Sequence, residues 1–494
     1  MPVANAFRRC SRDKSHRSSI EPRILLFDTL PYWIFFATVL LLLGAARPTA
    51  GKWLLVIASY VFYACWDVRF VLLLGASTLA NWLFGLWIDH VEEAARKRAL
   101  IVAIVFNLGT LAFFKYFNFF ADTLATLLHL DPHSMTLRIV LPVGISFFTF
   151  EGIAYAADVY RRDLPARRSL LDFGLFISFF PHLIAGPIIR PINFFPQVGQ
   201  PLALSDEDAR WGLREILKGL FKKVALSNFY APITDAYFHG AQWSGQSVPA
   251  WIGVLAFSMQ IYFDFSGYTD IARGCARLLG FRFPSNFERP YLSRDISEFW
   301  HRWHISLSSW LRDYLYIPLG GNRKGETRTC INLLIVMGLG GLWHGASWNF
   351  AVWGLYHGSL LVGHRYWRKF VARARLETLL DHPFLNPLWI GLTFFLVTLG
   401  WIPFRAPDFA ATRAILHALV VVPDTQLAYL HPAILVIPLL SLVFCALDRG
   451  RRIQDWLTQR AGFPVAVAVG VVAVLALELF GQIDAPIPFI YFQF

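Results

Sequence analysis

Apolar runs recur along almost the whole 494-residue chain, and they constrain its fold more than any other feature. Hydrophobic residues make up 56% of the sequence and charged residues only 16%, whereas soluble proteins carry about 25% charged residues. A water-soluble fold cannot bury so much apolar surface, so the composition predicts a membrane protein that crosses the bilayer many times. The runs are Trp33–Leu43, Trp53–Tyr63, Phe70–Ile88, Leu100–Phe114, Ile139–Ala157, Leu170–Ile189, Trp251–Phe265, Ile331–Trp343, Trp348–Val362, Leu388–Ile402, Ile434–Leu447 and Val465–Phe480.

Several of these runs are shorter than the ~20 residues that an upright transmembrane helix needs. We therefore expect some of them to be re-entrant or buried inside the helix bundle, and we predict an all-α polytopic protein with roughly 10–13 spanning helices. No Ser/Gly-rich linker and no repeat divides the chain. The predicted organisation is a basic N-terminal tail over residues 1–30 and one membrane domain over residues 31–494, with its polar centre at about 260–360.

The net charge of +12 comes from short basic segments between the apolar runs, such as AARKRA and YRRDLPARR. This arrangement is typical of cytoplasmic loops that follow the positive-inside rule, and it argues against nucleic-acid binding. The five cysteines form no CxxC pair or metal-ligand spacing. They are expected to be small buried hydrophobic residues.

His344 lies near the middle of the apolar stretch GLGGLWHGASWNFAVWGLYHG. An ionisable side chain at membrane depth is costly unless it faces a cavity, a partner or a reaction centre. His344 is either a core histidine paired with a carbonyl or a general base that takes a proton from a hydroxyl or thiol. The glycines around it are expected to let another backbone or a ligand approach closely.

The segment Ser297–Tyr316 has the composition of one amphipathic helix. It is too polar to face lipid, and its residues favour a position on the membrane surface over one beside a water-filled cavity. His304 in this segment is either an interfacial histidine or a cavity residue that orients substrate or His344. At ~3.6 residues per turn, one face of the helix would carry Arg302, Ser306, Ser309 and Asp313.

Asp264 lies in the apolar and aromatic run YFDFSGYTD, where a carboxylate must be paired or protonated. An ion pair with an arginine from residues 273–312 is the leading interpretation, and orientation of a catalytic histidine is the alternative. His357 lies about 220° around a continuous helix from His344 at ~100° per residue. The two histidines would then share no face, so His357 is predicted to be structural.

The turn Gly320–Gly325 is flanked by glycines and contains two basic residues. It could hold phosphate groups of a coenzyme or lipid through its amides and cations, or it could be an ordinary loop. The chain contains no HExxH, P-loop or GxSxG motif. ATP-driven transport and serine hydrolysis therefore have no support in the sequence.

The run SEFWHRWHISLSSWLRDYLYIPLGGNRKG, followed by GLWHGASWNFAVWGLYHG, closely resembles the membrane-bound O-acyltransferase family, in particular its bacterial branch of alginate O-acetyltransferase-like proteins. Further matches in the expected order are LPVGISFFTFEGIAY, FFPHLIAGPIIRP, YFDFSGYTDIARG, TLGWIPFRAPDF and PFIYFQF. The resemblance covers nearly everything from about residue 31 onward. Its ordered motifs are specific for the family and less so for the substrate.

The resemblance implies a ring of tilted membrane helices with additional re-entrant or amphipathic helices around a central tunnel that is open to both sides. It moves the Ser297–Tyr316 helix into that tunnel and makes His344 the catalytic residue, with His304 beside it. No bound metal or cofactor is expected, and acetyl-CoA is the expected acyl donor. Expected substrate-binding or tunnel residues are Asp264, Arg302, Ser308, Asp313, Trp343 and Asn349.

The expected activity is O-acetyl transfer across the bacterial inner membrane to an exported polysaccharide such as alginate, cellulose or peptidoglycan. The resemblance implies a periplasmic SGNH-type transferase or esterase and exopolysaccharide machinery as partners, besides the lipid bilayer. Another acceptor within the same family is the first alternative: D-alanylation of teichoic acid, or acylation of a lipid or protein. A transporter without chemistry is the second.

Overall fold

The computed structural model describes residues 25–131, 135–184, 186–200, 204–238, 247–421 and 490. Within these ranges the regular structure is helical and no strand occurs, as predicted for an all-α protein. The α-helices are α1 (Leu30–Ala45), α2 (Pro48–Ala64), α3 (Arg69–His90), α4 (Glu93–Leu111), α5 (Phe117–Leu127), α6 (Ile145–Arg161), α7 (Leu170–Ser178), α8 (Phe180–Leu183), α9 (Pro191–Phe194), α10 (Asp206–Leu220), α11 (Asn228–Phe238), α12 (Ser247–Leu278), α13 (Ile296–Arg302), α14 (Ile305–Leu311), α15 (Glu326–His344), α16 (Trp348–Arg373), α17 (Glu377–Leu380), α18 (Asn386–Arg405) and α19 (Phe409–Val420). The π-helical segments are π1 (Ala112–Tyr116), π2 (Phe221–Ser227) and π3 (Arg312–Tyr316), and short 3₁₀ turns cover Phe195–Gln197, Pro290–Leu292 and Pro383–Leu385.

Four helical segments in the described ranges are long and apolar enough to cross a membrane. They are Arg69–His90, Glu93–Leu127, Ser247–Leu278 and Pro383–Arg405, and α1 and α19 are shorter apolar helices. The predicted runs Ile434–Leu447 and Val465–Phe480 lie outside the described residues, as does most of the predicted tail over residues 1–30. The total number of spans therefore stays a prediction.

Most of two predicted runs, Ile139–Ala157 and Leu170–Ile189, is buried inside the protein. Every residue from Ile145 to Val159 in α6 is buried, and the run Leu170–Ile189 is divided into α7 and the single-turn α8, which has Pro181 in its first turn. Proline fits the first turn of a helix, where its missing N–H is not needed. The expectation that some runs are buried within the bundle is confirmed for this part of the chain.

Helix α12 packs against α10 and π2 at very short range because glycines face each other across the contact. A Cβ atom added to Gly219 would lie 2.5 Å from the carbonyl oxygen of Gly267, and one added to Gly267 would lie 2.8 Å from that of Gly219. Small residues let two helix backbones approach closely within a membrane. This contact holds α12 in the interior, where Phe265 reaches the centre described below.

Helices α15 and α16 form an antiparallel pair that is also built on glycines. A side chain at Gly341 would collide with the backbone carbonyl of Phe350, and one at Gly354 would collide with that of Met337. The expected close backbone approach is therefore present at Gly341. The pair is joined by the turn around Gly345, so its closed end lies beside His344.

Candidate active site

His344 is the last residue of α15, and its side chain is 5% exposed. Three aromatic rings surround the imidazole. Its centroid lies 5.0 Å from Trp343, 5.0 Å from Trp353 and 5.3 Å from Phe404. These rings come from α15, α16 and α18, so the packing of three helices holds His344 in an apolar, water-poor environment.

His304 lies in the gap between α13 and α14 and is fully buried. Its ring centroid is 6.5 Å from that of His344, 4.7 Å from Phe265 and 5.9 Å from Trp343. Its backbone is left-handed, with φ 43° and ψ 54°, a conformation that a non-glycine residue rarely adopts. The structure thus brings the two candidate histidines together in one aromatic chamber, at the expense of local backbone strain.

The prediction of one continuous helix over Ser297–Tyr316 is wrong. The segment breaks at Trp303 and His304 and continues as α14 and then as π3. The face predicted to carry Arg302 together with Ser306 therefore does not exist, because the left-handed residue resets the helix phase. The preference for a surface position from the residues alone is also wrong, since Trp303, Leu307 and Trp310 are buried.

Lys115 and Tyr116, which the sequence interpretation did not single out, hold the end of α15. The Lys115 ammonium donates to the carbonyl oxygens of Trp343 at 2.5 Å and His344 at 3.2 Å, and the Tyr116 hydroxyl donates to that of Leu342 at 2.8 Å. The last carbonyls of a helix lack partners within the helix, and a cation there is favourable. Both residues lie in π1, and a π-helical turn inside an apolar run leaves no clear sequence signal.

Asp264 forms an ion pair, but its partner is not the one predicted. Its carboxylate lies 2.6 Å from the ammonium of Lys223 in π2, and it also accepts a hydrogen bond of 2.6 Å from the Ile490 amide. The expected arginine from residues 273–312 is therefore wrong. The pair joins α12 to π2 behind the histidine chamber, where both side chains are buried.

Two other predicted site residues interact within their own chain segment. Arg302 pairs with Glu298 at 2.6 Å, both on α13. Ser308 donates to the carbonyl of Trp303 at 3.3 Å. These bonds stabilise the short helices on either side of His304, and a role for Arg302 or Ser308 in substrate binding stays a prediction.

Asp313 lies in π3 at the outer end of the same segment. Its carboxylate is 2.6 Å from Arg190 and 2.6 Å from Arg312, and its backbone carbonyl accepts a bond of 2.9 Å from Arg161. Three guanidinium groups thus converge on one acidic residue. Asp313 organises this charged cluster, and a role in binding substrate stays a prediction.

Trp343 and Asn349 contribute to the chamber in different ways. The Trp343 ring contacts His344 and packs 5.6 Å from Phe147 and 5.5 Å from Phe150. The Asn349 amide donates to the carbonyl of Ala406 at 2.9 Å and so ties the start of α16 to the end of α18. Trp343 forms a wall of the chamber, whereas Asn349 fixes the helices that carry its walls.

His357 is fully buried between Trp300 and Trp353, with ring centroids 5.2 Å and 5.0 Å away. The argument from a continuous helix was wrong, because α15 ends at His344 and α16 begins at Trp348. Trp353 lies between the two histidines instead and makes an edge-to-face contact with each ring. His357 stays predicted to be structural, and among the described residues no group of His, Cys, Asp and Glu could hold a metal ion.

The predicted turn at Gly320–Gly325 is exposed from Asn322 to Gly325, whereas Gly321 is buried. Gly320, Gly321 and Gly325 have φ values of 109°, 54° and 84°, which explains why glycine occupies these positions. Its Gly321 carbonyl accepts a bond of 3.0 Å from Asn332. A role in holding phosphate stays a prediction.

The helical fold and its apolar segments define a polytopic membrane protein that buries a pair of histidines inside its helix bundle. The profile of the membrane-bound O-acyltransferase family, MBOAT, matches residues 104–398, more than half of the chain and including both histidines. The chain belongs to this family, and it is an O-acyltransferase.

Relatives with named activities cover most of the chain. A protein named "Probable alginate O-acetylase" from Pseudomonas putida is 42% identical over 407 residues, which is 80% of this chain and 81% of the relative. A peptidoglycan O-acetyltransferase from Helicobacter pylori is 37% identical over 445 residues, or 82% of each chain. A teichoic acid D-alanyltransferase from Bacillus subtilis is 28% identical over 309 residues, or 57% of this chain and 73% of the relative.

Proposed function

We propose that this protein transfers acetyl groups from a cytoplasmic donor, acetyl-CoA, across the bacterial inner membrane for O-acetylation of an exported polysaccharide. The observation that carries the proposal is the buried pair His304 and His344, whose ring centroids are 6.5 Å apart inside aromatic walls. The named activities of the alginate and peptidoglycan relatives support acetyl transfer to a polysaccharide.

His344 acts as the general base in this proposal. Its neutral imidazole takes the proton of the acceptor hydroxyl while the hydroxyl oxygen attacks the carbonyl carbon of the thioester. The tetrahedral intermediate then collapses, the carbon–sulfur bond breaks, and the leaving thiolate takes the proton from the imidazolium. The products are the acetyl ester and the free thiol of the donor.

The aromatic walls keep water from competing with the acceptor. Trp343, Trp353 and Phe404 surround His344, and exclusion of water also strengthens each polar interaction inside the chamber. A hydrolytic side reaction would waste the donor. The enclosure of His344 is therefore part of the proposed mechanism.

Delivery to the polymer is proposed to involve a periplasmic SGNH-type transferase or esterase that works with the exopolysaccharide machinery. A chain that lies in the membrane can bring the acetyl group to the outer side, and a periplasmic partner can place it on the polymer. Cells that lack this partner should keep acetyl transfer in isolated membranes but lose acetylation of the exported polymer.

The test replaces His344 with alanine and measures radiolabelled acetyl transfer from acetyl-CoA in membrane vesicles. Loss of the general base should reduce the rate by about 10²–10⁴-fold. His90→Ala is the matched control, because His90 lies exposed at the end of α3, and it should retain full activity. Both variants are compared at equal protein level in the membrane.

Three outcomes would contradict the proposal. Acetyl transfer that persists in His344→Ala would remove this histidine from the chemistry. Transfer of D-alanyl groups in place of acetyl groups would favour the teichoic acid alternative, which the more distant relative represents. Solute flux without any acyl transfer, unchanged by His344→Ala, would favour a transporter.

A further inference from the structure

The strained backbone of His304 is held by one residue that is 18 positions away. The Asn286 carbonyl accepts a hydrogen bond of 3.0 Å from the Ile305 amide, and the Asn286 side-chain oxygen accepts one of 3.0 Å from the Ser306 amide. Next to it, the Glu288 amide donates to the Arg302 carbonyl at 2.9 Å. Asn286 therefore binds the two residues that follow His304 and supports its left-handed conformation.

The same side-chain oxygen also faces the imidazole. Nδ1 of His304 lies 3.3 Å from Oδ1 of Asn286. A further hydrogen bond of 3.0 Å joins this oxygen to the Ser306 hydroxyl, which itself accepts from the Ile188 amide at 3.0 Å. The loop containing Ile188 thereby stabilises the position of Asn286 through the Ser306 hydroxyl.

These contacts determine which nitrogen of His304 carries the proton. A backbone amide can only donate, so the Ser306 N–H requires the oxygen of the Asn286 amide, and not its nitrogen, at this position. An amide oxygen can only accept, so Nδ1 of His304 must donate to it. In a neutral imidazole the other nitrogen, Nε2, then has a lone pair and no proton.

Nε2 of His304 is buried and has no hydrogen-bond partner among the described residues. A buried polar atom in a native structure normally has a partner, so this nitrogen is an acceptor without a donor. The ring of His344 lies on the same chamber, with 6.5 Å between the centroids. A hydroxyl has one proton to donate, so an acceptor bound between the two rings would offer one hydroxyl to each of them.

We propose that Asn286 is a positioning residue that holds His304 in its Nδ1–H tautomer, so that Nε2 accepts a hydrogen bond from a second hydroxyl of the acceptor, next to the hydroxyl that His344 deprotonates. The role assigned to His304 rests on the proposed acetyl transfer, whereas the tautomer does not. His304 then orients the acceptor through this second hydroxyl, and His344 removes the proton of the reacting hydroxyl. Asn286 itself touches neither substrate.

Nuclear magnetic resonance tests the tautomer without any assay of activity. The protein is labelled with ¹⁵N-histidine and studied in lipid bilayers by solid-state methods, and the His304 signals are identified by their absence in His304→Gln. The expected result is a protonated Nδ1 and an unprotonated Nε2. A proton on Nε2 in the unmodified protein would overturn the proposal.

Two substitutions of Asn286 test its effect on the reaction. Asn286→Ala removes the acceptor and should lower kcat by about 10–100-fold, the range for removal of a group that orients a functional histidine. Asn286→Asp keeps an acceptor for the Ser306 amide and for Nδ1, so it should restore a large part of kcat at alkaline pH. Its negative charge favours the imidazolium, in which Nε2 has no lone pair. The acidic limb of its pH profile should therefore move upward by about 1 pH unit or more.

A control variant separates positioning from loss of structure. Asn107→Ala removes another buried side-chain amide, which donates a hydrogen bond of 2.7 Å to the Asn81 side chain. Because this amide bonds to Asn81 and not to a histidine, the variant should keep the pH profile of the unmodified protein. An unshifted profile in Asn286→Asp, or full kcat in Asn286→Ala, would overturn the role of Asn286. If the unmodified protein transfers no acetyl group while His304 still carries its proton on Nδ1, the proposed function fails and the tautomer assignment stands.

Discussion

Two buried polar regions lie on the two sides of α12, and they differ in how their polar groups are satisfied. The first is an ion network of Glu215, Lys218, Lys222, Asp270 and Arg273 between α10, π2 and α12. Asp270 lies 2.9 Å from Lys222, 3.2 Å from Lys218 and 3.5 Å from Arg273, and Glu215 lies 2.9 Å from Lys218 and 2.8 Å from Arg273. Each acidic group has at least two cationic partners.

The second region is the histidine chamber, which contains uncharged rings and keeps the Nε2 atom of His304 without a partner among the described residues. Charges in a low-dielectric interior must be paired, and a fully paired network has little capacity to bind anything else. A polar atom left unpaired is available to a substrate. The comparison indicates that the ion network supports the fold, and it agrees with the proposal that the chamber is the reaction site.

Breaking the ion network should have the largest effect on stability. Asp270→Ala removes the carboxylate that lies 2.9 Å from Lys222 and weakens the pairing of Lys218 and Arg273, so the free energy of unfolding should fall by about 3–5 kcal/mol. Thermal unfolding followed by tryptophan fluorescence in one detergent measures the loss. His304→Gln is the matched variant in the chamber and should lose activity with a much smaller change in stability. Equal destabilisation by both substitutions would remove the distinction between the regions.

Adding a side-chain atom at the α15–α16 contact should affect both stability and activity. Gly341→Ala places a Cβ atom against the Phe350 carbonyl, and forcing the helices apart should cost about 1–3 kcal/mol. It should also lower acetyl transfer, because the end of α15 carries His344. Gly363→Ala, on the same helix pair but with open space around it, is the control and should be neutral or slightly stabilising. Retained stability in Gly341→Ala would show that the contact can relax.

The sequence was sufficient to find the chamber because a histidine in an apolar run is conspicuous by its solvation cost alone. His344 was identified in this way, whereas His304 was a candidate in the polar segment Ser297–Tyr316 and its place beside His344 was implied by the family resemblance. The expectation that some apolar runs are buried is confirmed in α6 and α7. The break at His304 could not be predicted, since its left-handed backbone depends on hydrogen bonds that the Ile305 and Ser306 amides donate to Asn286, a residue in a different segment.

The interaction partners of Asp264 and Lys115 could not be predicted from the sequence either. Asp264 was expected to pair with an arginine that follows it, but the helix contact between α12 and π2 brings Lys223 to it instead. Lys115 lies at the edge of an apolar run, and only a π-helical turn directs it to the end of α15. Local patterns therefore predict which residues are unusual, and the tertiary packing decides what they contact.

The hydrogen bonds that Lys115 donates to the end of α15 should matter more for activity than for stability. Lys115→Met removes the donor to the Trp343 and His344 carbonyls and should cost about 0.3–2 kcal/mol, the range for a cation at a helix C-terminus. Because the released carbonyl belongs to His344 itself, kcat should fall while KM changes little. Lys115→Arg keeps the charge and should restore part of kcat. An unchanged kcat in Lys115→Met would show that catalysis depends on the aromatic walls and the histidines and does not need Lys115.

The smallest effect is expected at the opposite end of α15, where ions are exposed. Arg365 and Lys369 lower the pKa of Glu326 to about 2, from an ordinary value of 4.5. Since this pKa is lower in the folded protein, the stabilisation is complete above about pH 4.5 and is lost as the pH falls towards 2. Glu326→Gln should lower the melting temperature slightly at pH 7, by an amount that shrinks at pH 3, and leave acetyl transfer unchanged. A large loss of acetyl transfer in Glu326→Gln would instead connect the ion cluster of Glu326 to the histidine chamber. Burial and ion pairing would then no longer distinguish the polar groups that support the fold from those that take part in the reaction.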